Sequence, residues 1–334
     1  MTTFGGRIRQ SGSVLAIVCP GQGSQTPGFL ESWMEAPGFA DHLQQLSEVA
    51  DTDLVAHGTT SDAETIKDTA VAQPLIVAAG LATLRVLLDG AAVSEAAGVL
   101  AGHSVGEITA AAAAGTLSEA DALAFVRERG RGMARAAAVT PTGMAAVLGG
   151  VEDEVLATLE SHGLTPANRN GAGQIVAAGT LDQLAALQDN PPAKARVIPL
   201  EVAGAFHTEH MAPAVDTLRA HAAGLTPQDP QVTLLSNKDG GPVADGTEVL
   251  DRLVAQVAGP VRWDTTMQTM LDLGVTGLIE LCPAGTLVGL AKRGMRGVPS
   301  VAVKTPDDLD AARGLIREHA GTPDSDTTGT STGS

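Results

Sequence analysis

The sequence predicts a mixed α/β protein, a large unit on a mostly parallel sheet interrupted by a smaller unit of β-α-β-β-α-β order. Three observations carry this expectation. Short apolar runs that read as buried strands alternate with helix-compatible segments, the pattern of parallel sheets. From about Thr140 the alternation tightens into six short elements, then relaxes again after residue 204. A chain of 334 residues with 44% hydrophobic content is long and apolar enough for such a core.

"SVLAIVCPGQGSQ" reads as a buried strand from Val14 to Cys19 that runs into a polar, glycine-rich loop. "FADHLQQLSEVA" and "AQPLIVAAGLATLRVLL" follow with helical apolar spacing. "AGVLAGHS" predicts a second strand ending at Ser104, and the alanine-rich "EITAAAAAG" predicts a helix directly after it. In "SEADALAFVRERGRGMARAA", Ser118 is placed to cap a helix, with Asp121 three residues on. The tightened segment reads strand "GMAAVLGG", helix "VEDEVLATLESHG", two strands in "LTPANRNGAGQIVAAG", helix "TLDQLAALQDN" and strand "KARVIPLEV", which is the ferredoxin-like order. "VTLLSN" and "VTGLIELCP" are the clearest later strands. The expected organisation is a flexible segment 1–12, a large catalytic unit 13–139 plus 205–318, a small unit 140–204, and a polar disordered tail 319–334.

Thirty-eight acidic against 21 basic side chains give a net charge of −17, which opposes nucleic-acid and anionic-membrane binding. The absence of tyrosine and the 2% aromatic content remove the stacking platforms of single-strand binders. Apolar runs such as "ITAAAAAGTL" fall short of the about 18 to 20 residues of a membrane span, and no signal-peptide pattern opens the chain, so the cytoplasm is expected. Cys19 and Cys282 are far apart in apolar surroundings and read as buried thiols.

The chemistry concentrates in a few motifs. Gly102-His103-Ser104-Val105-Gly106, between a strand and a helix, has the form of a nucleophile elbow, where glycines flank a serine because the turn leaves no room for side chains. A helix-capping serine is the plainer alternative. "PGQGSQ" lies at the end of the first strand, but Thr26 stands where a dinucleotide loop needs its third glycine and Phe29-Leu30 follow Gly28 where a phosphate loop needs Lys-Ser or Lys-Thr. "GAFHTEH" supplies His207 and His210 without a third ligand or His-Glu-x-x-His spacing, so no metal is expected. His103 reads either as a packed elbow residue or as a contact to an acyl group.

Taken in order, Pro20-Gly21-Gln22-Gly23-Ser24-Gln25, Gln73-Pro74, Gly102 to Glu107, Arg129-Gly130, Gly204-Ala205-Phe206-His207 and Gln256 ahead of Pro260-Val261-Arg262-Trp263 resemble the malonyl-CoA:acyl carrier protein transacylases of fatty-acid synthesis, kin to polyketide synthase acyltransferase domains. The resemblance spans about residues 14 to 300. It implies a hydrolase-like α/β domain interrupted by a ferredoxin-like subdomain. It implies Ser104 as nucleophile, His207 as base, the N–H groups of Gln22 and Val105 as oxyanion donors, Arg129 as reader of the malonyl carboxylate, and the Gln256 carbonyl as orienter of the histidine. Gln73, His103 and Phe206 would line the pocket, and Lys194, Arg196, Lys292 and Arg293 would dock an acidic acyl carrier protein near the cleft mouth. No cofactor is implied, the partners are malonyl-CoA and the carrier protein, and a monomer is expected. Glu209-His210 depart from the common pattern at the pocket rim, with His210 expected on the surface. Three other readings stand beside this one: an α/β-hydrolase using His319, a non-catalytic carrier-binding module, and a domain cut from a polyketide synthase, against which an initiator methionine and a polar tail argue for a free-standing protein.

Overall fold

The computed structural model describes residues 13–320, so the expectations for residues 1–12 and for the tail beyond Ala320 lie outside the described residues. Eleven strands are described: β1 Val14–Cys19, β2 Val99–Gly102, β3 Thr142–Gly149, β4 Thr165–Gly171, β5 Gln174–Thr180, β6 Ala195–Leu200, β7 Thr233–Leu235, β8 Pro242–Val243, β9 Val261–Arg262, β10 Val275–Glu280 and β11 Ser300–Ala302. They form a six-stranded sheet of order β11-β10-β1-β2-β7-β8 and a five-stranded sheet of order β6-β3-β5-β4-β9. The expected mixed α/β architecture is present. The first sheet is parallel except for the β7–β8 pair, and the second is antiparallel except for β4–β9.

β1 explains why the central strands read as continuous apolar runs. Leu15, Ile17 and Cys19 enter one core cluster while Ala16 and Val18 enter another on the opposite face, so both faces are covered. Ser118 caps the helix Glu119–Ala137 by accepting from the Asp121 N–H, as its position predicts. Alternate residues of β3 (Ala145, Val147) and β5 (Ile175, Ala177) feed a third cluster beneath the helices Glu152–Ser161 and Leu181–Asp189, with Ala195 and Val197 of β6 packed against it.

Two expectations are corrected. The second strand ends at Gly102, two residues before Ser104, because the chain turns sharply at the serine. The second sheet is not built from residues 140–204 alone, since Val261 and Arg262 pair with Asn168 and Arg169 and add a fifth strand. The helix Leu309–His319 ends where the tail is expected to begin, and the His319 Nδ1 contact to Thr276 Oγ1 at 2.8 Å ties its last residue to the sheet. The helix Thr69–Leu88 is, by length and hydropathy, apolar enough to cross a membrane, yet 78% of its most apolar window is buried inside the protein, where it serves as a core helix.

Candidate active site

β1 and β2 are parallel neighbours, so the loop after Cys19 and the turn after Gly102 emerge side by side at the carboxyl edge of the sheet. The turn is very tight. A Cβ on Gly102 would lie 2.0 Å from the carbonyl carbon of Gly106, and one on Gly106 would lie 2.2 Å from the Cys19 carbonyl oxygen. Ser104 itself has φ +53°, a left-handed conformation rare outside glycine, and the helix Gly106–Ala113 starts two residues later. These features separate an elbow from a capping serine.

His207, also at positive φ (+63°), brings Nε2 to 2.7 Å from Ser104 Oγ, and its Nδ1 lies 2.8 Å from the Gln256 carbonyl oxygen. A carbonyl only accepts, so Nδ1 carries the proton and Nε2 is left to accept from the serine hydroxyl. Burial, then the nearby Arg129 charge, push the imidazole down to about 3, so it rests neutral. Arg129 is buried beside the pair. Its Nη1 donates to Gln73 Oε1 at 2.7 Å, its Nη2 donates to Gln256 Oε1 at 2.7 Å, and the same Nη2 is 3.4 Å from Ser104 Oγ. Burial pulls the guanidinium down to about 10, so it stays charged at neutral pH.

The acyl transferase domain family matches residues 16–321. The chain belongs to that family. It is 53% identical over 302 residues to the malonyl CoA-acyl carrier protein transacylase of Mycobacterium tuberculosis, covering 90% of this chain and all of that one. The crystal structure of MCAT from the same organism superposes with a TM-score of 0.84 at 53% identity, over 90% of this chain and 99% of that chain. A solved type II PKS acyl-carrier protein in complex with its malonyl-transacylase matches with a TM-score of 0.84 at 29% identity, over 90% and 99%. This protein is therefore an acyltransferase.

Within this acyl transferase, the remaining expected residues fall in three places. Gly21 is pressed against the elbow, 2.8 Å separating its would-be Cβ from the His103 carbonyl oxygen. Gln22 follows it, its side chain reaching Thr69 Oγ1 at 3.3 Å. Along the elbow the N–H groups of His103, Ser104, Gly106 and Glu107 all have acceptors, whereas those of Val105 and Gln22 have none among the described residues. His103 spans to the second sheet through Asn170 Oδ1 at 2.9 Å and packs edge-on to Trp263, with ring centroids 5.6 Å apart. Phe206 is buried in the main core cluster beside His207 in the chain. Lys194, Arg196, Lys292 and Arg293 are exposed. Arg293 Nη2 is 3.3 Å from Gln174 Oε1, and Gln174 and Arg196 flank Leu148 in register, so Arg293 and Arg196 meet at one end of the second sheet, with Lys194 one residue ahead of β6. His319 lies at the opposite edge of the first sheet from Ser104, beside Thr276 near the start of β10, which removes it as a partner of the serine. His210 sits in the single turn Glu209–Met211, half-buried, with Glu209 exposed before it.

Two functional neighbours escaped the sequence reading. Asn237 accepts from the Ser104 N–H at 2.7 Å and donates Nδ2 to the Gly102 carbonyl at 2.7 Å, bracing the elbow from both sides. Glu107 accepts from the Asn237 N–H at 2.7 Å and from Gln256 Nε2. The signals were there: a lone charge on an otherwise apolar, alanine-rich helix, and a polar pair closing "VTLLSN" at a strand's carboxyl end.

Proposed function

We propose that this acyltransferase moves the malonyl group of malonyl-CoA to the phosphopantetheine thiol of an acyl carrier protein, for fatty-acid or polyketide elongation, through an ester on Ser104. The observation that carries this reading is the buried Arg129 guanidinium beside Ser104 Oγ, since a terminal carboxylate is what distinguishes malonyl from acetyl. The names of the relatives attach the same donor and acceptor to those proteins.

In the first half-reaction the Ser104 hydroxyl gives its proton to His207 Nε2 while Oγ attacks the thioester carbonyl. The carbonyl oxygen becomes an oxyanion between the Gln22 and Val105 N–H groups, the two left without acceptors; losing one such donor typically costs about 10²- to 10³-fold in rate. Collapse breaks the carbon–sulfur bond, and coenzyme A leaves with the proton from His207. In the second half the carrier thiol gives its proton to His207, attacks the ester, and Ser104 recovers its hydrogen. The cycle is ping-pong and uses no bound cofactor. The carboxylate adds one more effect. Arg129 depresses the basicity of His207, so a malonyl carboxylate paired with Arg129 offsets that field and makes the base stronger only when the correct acyl group is bound.

The same proposal takes residues 13–139 with 205–318 as a hydrolase-like catalytic unit and 140–204 as a ferredoxin-like subdomain, its strand order β6-β3-β5-β4 supporting the comparison. Gln73 fixes one flank of Arg129, Phe206 narrows the pocket, and the basic end of the second sheet receives the carrier protein. A cytoplasmic setting and a monomeric state belong to the proposal and are checked by fractionation and by mass in solution. The decisive experiment is intact mass after incubation with malonyl-CoA: one malonyl adduct on the wild type, none on Ser104→Ala, and an adduct forming orders of magnitude more slowly on His207→Ala. An adduct of unchanged size and rate on Ser104→Ala defeats the reading.

A further inference from the structure

Glu107 is buried, 5% exposed, and among the described residues forms no ion pair within 4 Å. Its two carboxylate oxygens instead hold two different arms of the site. Oε1 accepts from the Asn237 main-chain N–H, and the Asn237 side chain holds the Ser104 N–H and the Gly102 carbonyl. Oε2 accepts from Gln256 Nε2, and Gln256 holds His207 through its main-chain oxygen and Arg129 through Oε1. The nucleophile's support and the base's support therefore meet on one side chain, and both present it with donors. An ionised carboxylate meets these donors as a pure acceptor, whereas a protonated one adds an O–H donor that needs an acceptor of its own.

We propose that Glu107 is a positioning residue of the acyl transfer, whose ionised carboxylate keeps the Ser104 elbow in register with the Gln256–His207 pair. This rests on the reading of Ser104 and His207 as nucleophile and base. Glu107→Gln has the same shape but replaces one acceptor by an NH₂ donor. The Asn237 main-chain N–H cannot turn away, so the new NH₂ faces Gln256 and forces its amide over. Gln256 then directs a donor at the Arg129 guanidinium, and the Ser104 carbonyl loses the Gln256 Nε2 bond it has at 3.0 Å. Protonation of Glu107 places a donor among the same N–H groups, with the Ser236 hydroxyl as a further neighbour of the carboxyl. Burial raises this carboxyl to about 7, whereas His207 sits near 3, so the two titrate in separate ranges. The charged groups around Glu107 are Arg129 from the helix Glu119–Ala137 and Arg252 from the helix Gly246–Ala255. Arg252 shares a small cavity with Glu107 and is itself paired with Asp239 and Glu248; His207 is reached only through Gln256.

The test is single-turnover acetylation of Ser104 by the acetyl thioester of N-acetylcysteamine, a donor with no titrating group between pH 5 and 9, read by quenched intact mass. An acetyl donor leaves the carboxylate role of Arg129 out of the measurement. The wild-type rate should fall at least about tenfold from pH 8 to pH 5.5, with a midpoint near 7. Glu107→Gln should run about 10- to 100-fold below wild type at pH 8, without that acid limb. A Glu107→Gln rate within threefold of wild type, an acid limb that survives in the variant, or a flat wild-type profile overturns the proposal. Should Glu107→Gln not fold, wild type carrying ¹⁵N-histidine decides: the limb must develop while the His207 ring stays neutral, and a His207 signal that titrates with the rate overturns the proposal. Acetylation that persists at full rate in Ser104→Ala or His207→Ala defeats the dyad itself, a result distinct from any outcome at Glu107.

Discussion

Replacing Arg129 by alanine removes the buried cation beside Ser104 and asks whether the protein reads the malonyl carboxylate there. The guanidinium has five N–H donors, two of them engaged by Gln73 and Gln256 at 2.7 Å each, which fixes its plane and leaves further N–H groups for the substrate. A charged hydrogen-bonded contact is worth about 1.5 to 3 kcal/mol. At 1.36 kcal/mol per decade this predicts roughly a 10- to 100-fold loss of malonyl transfer. Acetyl transfer should change little or rise, because acetyl never used the contact. The variant also leaves the Gln73 and Gln256 amide oxygens buried without a donor, at about 1 to 3 kcal/mol each, so melting must be followed alongside activity. The assay is competition between malonyl-CoA and acetyl-CoA for one carrier protein, with the two products separated by mass. Arg127 bonds the Val49 carbonyl at 3.1 Å, Arg131 pairs with Asp51 at 3.2 Å and Arg135 is exposed, so alanine at these positions should leave the product ratio alone. An Arg129→Ala protein that keeps its full preference for malonyl would show that the carboxylate is read elsewhere.

Gly102→Ala should abolish the folded elbow, since its Cβ would sit 2.0 Å from backbone; loss of soluble protein or of serine acylation checks this, and a normal, active variant contradicts the turn geometry. Phe206→Ser should widen the pocket and shift the malonyl-to-methylmalonyl ratio by the partial factor that one methyl allows, about 1 to 3 kcal/mol; an unchanged ratio in competition assays removes Phe206 from specificity. Reversing the charges of Lys194, Arg196, Lys292 and Arg293 should raise KM for the carrier protein in a salt-sensitive way and leave KM for malonyl-CoA unchanged; equal effects on both substrates count against docking at this face.

Much of the fold was legible because local pattern and final environment agree. β1 runs from Val14 to Cys19 as read, its continuous apolar run reflecting two covered faces, and Ser118 caps the helix that its spacing to Asp121 implies. Residues whose pairing is distant were not legible. β9 is two residues long and declares itself only by meeting Asn168 and Arg169, more than 90 positions earlier. Ser104 was legible from its elbow pattern, whereas His207, Arg129 and Gln256 came from the family resemblance, and the structure holds the four within hydrogen-bonding reach of one another. Glu107 and Asn237 carry the same site through main-chain bonds spanning 130 or more residues, which no periodicity or local motif records.

The short β9 strand also bears on how this chain is assembled during synthesis. Residues 142–200 supply four of the five strands of the smaller sheet, but the backbone of Asn168 and Arg169 has its partner only once Val261 and Arg262 have been made. Until then the β4 edge is open to pairing with another nascent chain, while the opposite edge, β6, carries the exposed Ile198 and Leu200. A piece cut at residue 204 lacks the strand that covers β4, the kind of open edge on which another strand can pair. The sequence "PVRW" thus closes the smaller sheet as a late-arriving edge guard.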